Sequence, residues 1–440
     1  MIQSIYAGVS GLQSFQTGID VLANNVSNVN TVGFKGSRVE FSNLFEKTMG
    51  NGIADVPTQV GLGVRVSATA LDLKTGSYSQ TDRSTDLSIQ GNDGWFGLLN
   101  GDDLLFSRAG DFGYDAFLPE GQTDVNASSS NLVNPGGLFV AGTPGNNFVY
   151  DPAYAYSDGT LGAYVLTDSL SNLALTGADA QGSLEFPTRF AYPPQATMTA
   201  SFSGNIGIEN VAQSISSEVI SPSGERNNLT LVFQQVVPQA AIGTQWNITA
   251  TIASADYDSF SGTGTLYDTQ TGTANFSDTG SILDFQLPSL DNNGAPVTTD
   301  LGQGFDGLIS SAGASVSSTA TQDGTVGGEI DGYGFQQNGD IVASFSNGQS
   351  SLIGKVAIYH FQNDHGLEPV SGNVFKTSAN SGNPIFYAQE NGKISSSSLE
   401  TSNVTLETAL TELIVMQRSY DATAKTISTA DQMLQNALSM

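Results

Sequence analysis

Ile5, Leu12, Ile19 and Val26 stand seven residues apart; Ile2 and Val9 lie three before the first two, and Phe15, Leu22 and Val29 three after the last three. Apolar positions alternating at intervals of three and four predict an amphipathic helix with a narrow, coiled-coil-like seam. The last thirty-five residues repeat the pattern. Leu406, Leu413, Tyr420, Ile427 and Leu434 are again seven apart, and Ala409, Met416, Ala430 and Ala437 form a neighbouring row that Thr423 interrupts. Glu407 and Glu412 sit early, where the helix dipole favours negative charge. Both helices adjoin polar, Gly- and Asn-rich chain, so they are expected to satisfy each other and then other copies. Between the first helix and the body, Ala23-Asn24-Asn25-Val26-Ser27-Asn28-Val29-Asn30-Thr31-Val32-Gly33-Phe34-Lys35 reads as a helix exit, because Asn and Gly tolerate the left-handed backbone that ends helices. Its four Asn do not make a metal site, since carboxylates are missing.

Between the helices the period shifts to two. Phe41, Leu44 and Phe45 suggest a short packed element, and Val60 to Val66 alternates as a strand does. Asp86 to Phe96 and Phe106 to Phe112 read as strands joined by Gly-rich turns. From about Gly145 to Gly304 the pattern is all-β: Leu229, Leu231 and Phe233 alternate, as do Trp246, Ile248, Ala250 and Ile252. Thr265-Leu266-Tyr267 and Thr273 to Phe276 are expected to flank a turn at Asp268 to Gly272. Ile341 to Gln349 predicts a strand entering an Asn-Gly hairpin, with Leu352 to Phe361 returning. The expected fold is mainly β with long terminal α-helices. Residues 1–35 and 400–440 form a helical domain, 36–145 and 305–399 a β-rich body, and 146–304 a β-barrel or sandwich inserted into it.

Charge is also unevenly divided along the chain. The 440 residues carry 42 acidic and 14 basic side chains, a formal net charge of −28, with no cysteine and two histidines. From Ala109 to Gly354 there are 24 acidic residues and only Arg189 and Arg226 on the basic side, a net of −22. The near-neutral flanks can approach copies of themselves with little repulsion, while the middle is expected to face water. Nucleic acid is excluded as a partner because phosphate neutralisation needs clustered Lys and Arg, and the same charge disfavours an anionic membrane surface. No membrane insertion is expected, since no stretch approaches 18 continuous apolar residues. Without cysteine there is no disulfide framework, zinc–thiolate site or thiol nucleophile. His360, Asp364 and His365 lack a fourth metal ligand. No nucleophile elbow or phosphate-binding loop occurs, and Gly61-Leu62-Gly63 lacks the third glycine and following helix of a dinucleotide site. No enzyme activity, cofactor or metal is expected. A cleaved secretory signal is not visible either.

Three stretches carry a family resemblance: Ser4 to Leu12 (SIYAGVSGL), Ala23 to Lys35 (ANNVSNVNTVGFK), and Ser402 to Val404 running through Gln417-Arg418-Ser419-Tyr420 to Ile427–Leu434. Together they resemble the bacterial flagellar axial family of rod, hook and hook–filament junction proteins. Trp95-Phe96, in a body segment that also resembles the family, stands where it usually has Phe-Phe. The resemblance covers residues 1–115 and 330–440; the insert has only the right position and character. It implies a coaxial arrangement, with both termini forming an inner helical tube around an export channel and the inserted domain outermost. The size of the insert and the Ile341–Gln349 hairpin favour a hook-type subunit over a distal rod or junction protein. The partners implied are further copies of the chain, the distal rod, hook cap and hook–filament junction proteins, and the flagellar type III export apparatus, which passes chains with an uncleaved N-terminus. The expected assembly residues are Ile5, Leu12, Ile19, Leu22, Val26, Leu406, Leu413, Tyr420, Ile427 and Leu434. Those of the family motif are Asn24, Asn25, Asn28, Gly33 and Phe34. A secreted adhesin using its β domains for binding is the alternative of another class, and it leaves the terminal signatures unexplained.

Overall fold

The computed structural model describes residues 2–439 apart from 45, 52–56, 92–93, 102, 118–126, 157, 176–180, 240–242, 259, 262, 313–315 and 387–392. It is mainly β and bracketed by two helices, α1 (Ile2–Ser27) and α2 (Leu406–Ser439). At about 1.5 Å per residue these are roughly 39 and 51 Å long. They pack antiparallel, since Gly8 faces Ile427, Gly11 faces Thr423 and Gly18 faces Met416. No described helix is long and apolar enough to cross a membrane.

After α1 the chain makes an antiparallel pair, Ser37–Asn43 with Val64–Leu71. This ribbon lies against α1: the Ser14 hydroxyl donates to the Val64 carbonyl at 3.2 Å, and the Phe15 and Phe41 rings are 5.9 Å apart. Phe41 is therefore a partly exposed strand residue leaning on the helix; Phe45 lies outside the described residues. The alternating run from Val60 to Val66 is broken at Gly63, whose φ of 116° separates strand Pro57–Gly61 from strand Val64–Leu71. Two short pairs then tie the start of the body to its end, Tyr78–Gln80 with Ser398–Glu400 and Leu87–Gln90 with Lys393–Ser396.

The body closes into a barrel built from strands between Trp95 and Tyr192 and between Gly328 and Phe386. Its core stacks aromatic rings edge to face, as ring quadrupoles prefer. Phe96 meets Phe112 at 5.1 Å, Phe106 meets Phe361 at 4.7 Å and Phe190 meets Phe345 at 5.1 Å. The Asn-Gly hairpin forms as expected: Gly348 adopts φ 79°, and its N–H donates to the Phe345 carbonyl.

Residues 199–322 fold as two packed sheets with a separate core. One is the antiparallel meander Gln213–Ile220, Arg226–Gln235, Thr244–Ser254, Leu266–Phe276 and Ile282–Gln286; the other is a mixed sheet centred on Thr199–Asn205. Leu229, Leu231, Phe233, Trp246, Ile248, Ala250 and Ile252 are all buried in that core. Two details differ from the sequence reading. Leu266–Phe276 is one continuous strand with no turn at Asp268 to Gly272. The turn-forming tendency of Asp268 is spent across the sheet, where its carboxylate accepts from the Asp291 backbone N–H at 2.9 Å. The sheet change also falls elsewhere than at 146 and 304. Strands Phe148–Ala155, Leu161–Leu166 and Phe190–Tyr192 belong to the barrel, while Asp306–Ile309 and Ser317–Gln322 pair with Thr199–Asn205. The neck between the two folds is a bridge in which Gln195 and Thr325 exchange backbone hydrogen bonds of 2.8 and 2.9 Å. The β pattern runs on without a break from the barrel strands into this unit, while strand pairing changes near 193, which is why the pattern alone misplaces the boundary.

Candidate assembly site at the joined chain ends

The face of α1 turned inward is small. Gly8, Gly11, Ser14, Gly18, Leu22 and Asn25 are its buried positions, at intervals of three and four. A Cβ added at Gly8 would stand 2.6 Å from Cγ1 of Ile427, and one at Gly11 3.2 Å from Cγ2 of Thr423. Glycine here lets the two backbones approach, and Thr423, which interrupts the apolar row of α2, fits against it. Of the expected assembly residues, Leu22 is buried, while Ile5, Leu12, Ile19 and Val26 are half-buried. On α2, Leu413, Tyr420, Ile427 and Leu434 are half-buried along the seam with Ala409 and Ala430, and Leu406 is exposed. Several apolar side chains that the heptads did not single out are also exposed: Tyr6, Leu410, Ile414, Val415, Met433 and Leu438.

Below the helices, both ends of the chain are clasped to the body. Asn25, in the last turn of α1, acts as a strand partner: its amide donates to the Ser37 carbonyl at 2.7 Å and accepts from the Ser37 N–H at 3.0 Å. Only a carboxamide supplies donor and acceptor side by side in this way. Asn403 does the same for the C-terminal segment, accepting from Gly36 N–H at 2.8 Å and donating to the Asp72 carbonyl at 2.7 Å. Asn28 donates back to the Asn24 carbonyl at 2.9 Å, Gly33 turns with φ 63° against the Arg108–Ala109 backbone, and the half-buried Phe34 accepts from Asn403 N–H through its carbonyl.

At the centre of the clasp is a buried ion triad. Glu400 accepts from Lys35 Nζ at 2.7 Å and from Arg108 Nε at 3.1 Å, with all three side chains about 1% exposed. Gly76 N–H adds a third bond to the carboxylate at 2.9 Å. Lys35 also donates to the Lys74 carbonyl at 2.8 Å, and Arg108 to the carbonyls of Gly91 and Gly94. Burial pulls the Lys35 ammonium below its usual range, Arg108 adds to this, and the Glu400 carboxylate opposes both. A buried charge group is tolerated only when its bonds are satisfied, and here they converge from four separate stretches of chain.

Nothing in the periodicities pointed to Lys35, Arg108, Glu400 or Asn403. The available signal was that basic residues concentrate in the flanks, where Lys35 closes the Asn-rich run and Arg108 sits in an aromatic–Ser–Arg–Ala–Gly stretch. Asp364, considered above as a metal ligand, instead accepts from the Trp95 indole N–H at 2.9 Å.

The family descriptions "Flagella basal body rod protein" and "Flagellar basal body rod FlgEFG protein C-terminal" match residues 5–35 and 395–440, the two ends that the clasp brings together. Along the whole chain, the flagellar hook protein FlgE of Treponema pallidum is 29% identical, covering 100% of both sequences. That of Borreliella burgdorferi is 28% identical over 99% of this chain and 98% of its own. The chain is thus similar to flagellar hook proteins along its whole length, and to the rod and hook family descriptions at both of its ends. FlgE of Escherichia coli is 27% identical over 98% of each chain. Among solved structures, the Helicobacter pylori flagellar hook protein FlgE2 matches at 15% identity with a TM-score of 0.47, covering 73% of this chain and 100% of that one. The end-to-end matches support a structural subunit of the flagellar hook.

Proposed function

We propose that this hook subunit assembles head-to-tail into a curved tube that encloses an export channel and transmits torque as a flexible joint. The observation that carries this reading is the pair of chain ends. A helical hairpin with exposed apolar faces is held to the β body by a buried, satisfied polar clasp, so its direction is fixed while its surface remains unsaturated. A heterologous contact that does not close generates a helical filament. The helices would line the channel, the barrel would form the next shell, and residues 199–322, joined by a two-strand neck, would face outward. Their acidic surface disfavours sticking between neighbours, which suits a joint whose outer parts slide. Assembly would place the chain between the distal rod and the hook–filament junction proteins beneath a hook cap, after passage through the type III export apparatus. The role is mechanical and requires no catalytic group or cofactor. Purified protein examined by electron microscopy should form short curved tubes. Dispersed particles under conditions that keep the chain folded would overturn this reading in favour of an adhesin-like one.

A further inference from the structure

A groove of about 320 Å³ opens where α1, α2 and the strand Ser37–Asn43 meet. Its floor is apolar, formed by Val21, Leu22, Val39, Val415 and Met416, and its rim carries Arg38 and Glu412. Val415 is 58% exposed, so the groove is open to a visitor. The opposite end of the same helix pair has the complementary character. Tyr6 is 70% exposed with Val9 beside it one turn on, also exposed. No side chain before Asp20 and none after Asp431 carries a formal charge, in a chain of net −28. That tip can be covered without stripping water from a charged side chain. Tyrosine suits the groove, since its ring meets the apolar floor and its hydroxyl reaches a rim with both an acceptor and a donor.

We propose that the tip of the helix pair in one copy, free of charged side chains, seats in this groove of another copy, with Tyr6 as the entering side chain. The inference rests on the self-assembly reading above and names the contact that would carry it. A chain cannot fill its own groove with Tyr6. Gly18 borders the groove, and Tyr6 lies twelve residues away along α1, about 18 Å at 1.5 Å per residue. The contact is therefore between copies and joins one end to the other, a heterologous geometry that extends as a helical filament where the rotation does not close.

The absence of native cysteine makes a direct test available. In the full chain carrying Tyr6→Cys and Val415→Cys, a disulfide needs Cα atoms within about 7 Å, which the spacing within one molecule forbids. Oxidised tubes should give a ladder of covalent multimers on a denaturing gel, collapsed by reductant. Tubes without a ladder would overturn the proposal and leave self-assembly standing. If the parent chain forms no tubes, the assembly reading fails and this contact with it. A second arm covers the case where the double variant does not assemble. Tyr6→Ser should raise the free subunit concentration in equilibrium with tubes by about tenfold or more, from the apolar area it leaves uncovered, and Tyr6→Phe by only a few-fold. Equal concentrations for Tyr6→Ser and the parent would overturn the proposal.

Discussion

Replacing Glu400 by Ala removes the one carboxylate that Lys35 and Arg108 share. Lys35 keeps the Lys74 carbonyl and Arg108 keeps those of Gly91 and Gly94, but both cations stay buried without a directly bonded counter-charge, Asp72 acting on Lys35 only at longer range. Breaking a buried ion pair from one side costs about 3–5 kcal/mol, and the orphaned Gly76 N–H adds about 1 kcal/mol. Lys35 can relieve part of this by shedding its proton, which its already lowered pKa makes easier. A net loss of about 4 kcal/mol is expected. Glu400→Gln keeps an acceptor for Gly76 and should lose less. The chain has two tryptophans, Trp95 in the barrel and Trp246 in residues 199–322, so a Trp246→Phe background leaves Trp95 to report on the body alone. With a urea slope of about 3 kcal/mol/M, the body transition should move down by roughly 1.3 M. The pH dependence supplies a signature. In Glu400→Gln the Lys35 pKa falls further, so the unfolded state binds more protons in the window below 10.5. Destabilisation relative to the parent should therefore shrink as pH rises toward that value. A shift under about 1 kcal/mol, or one with no such narrowing, would refute the view that the triad clasps the chain ends.

Gly33→Ala should cost at least about 2 kcal/mol in the same urea titration, because its φ is 63° and its Cβ would lie 2.5 Å from the Ala109 nitrogen. Gly101→Ala has the same φ of 63° and open space around the new Cβ, so it isolates the backbone strain and should cost less. Trp246→Ala empties the centre of the residue 199–322 core and should cost that unit about 3–5 kcal/mol; limited proteolysis should cut there while the barrel stays intact. Burial raises the phenols of Tyr164 and Tyr333 above their usual 10.0, where each donates to a backbone carbonyl. Their stabilisation is complete below pH about 10 and is lost as pH rises through the raised values. Alkaline unfolding, followed by tyrosinate absorbance, should therefore set in above pH 10 and occur at lower pH in urea.

Much of this architecture is legible in one-dimensional patterns because it repeats. Seven-residue rows gave both helices and the α2 seam, and strict alternation gave the Leu229–Phe233 and Trp246–Ile252 strands with every inward residue correctly placed. What repeats less was harder to see. The inner row of α1 is mostly glycine and serine, which carry no hydrophobic signal, so the apolar rows drew attention to side chains that are only half-buried. The clasp was invisible for another reason: Lys35 and Glu400 lie 365 residues apart, and no local pattern links them. The helix does stop within the Asn-rich exit, at Ser27, with Gly33 and none of its Asn in the left-handed region, but the role of Asn25 as a strand partner to Ser37 appears only once the chain is folded. Residues 148–192 carry the glycine, serine and acidic character of the insert while pairing with the barrel, so composition and topology part company there.

The β parts are expected to fold on their own pairings, and the terminal helices to drive assembly. The most direct test compares the full chain with one ending at Thr405, which keeps Glu400 and Asn403 but lacks α2. Electron microscopy should show tubes for the full chain and dispersed particles for the shortened one, with both retaining the same cooperative β unfolding. Tubes formed without α2 would contradict the account.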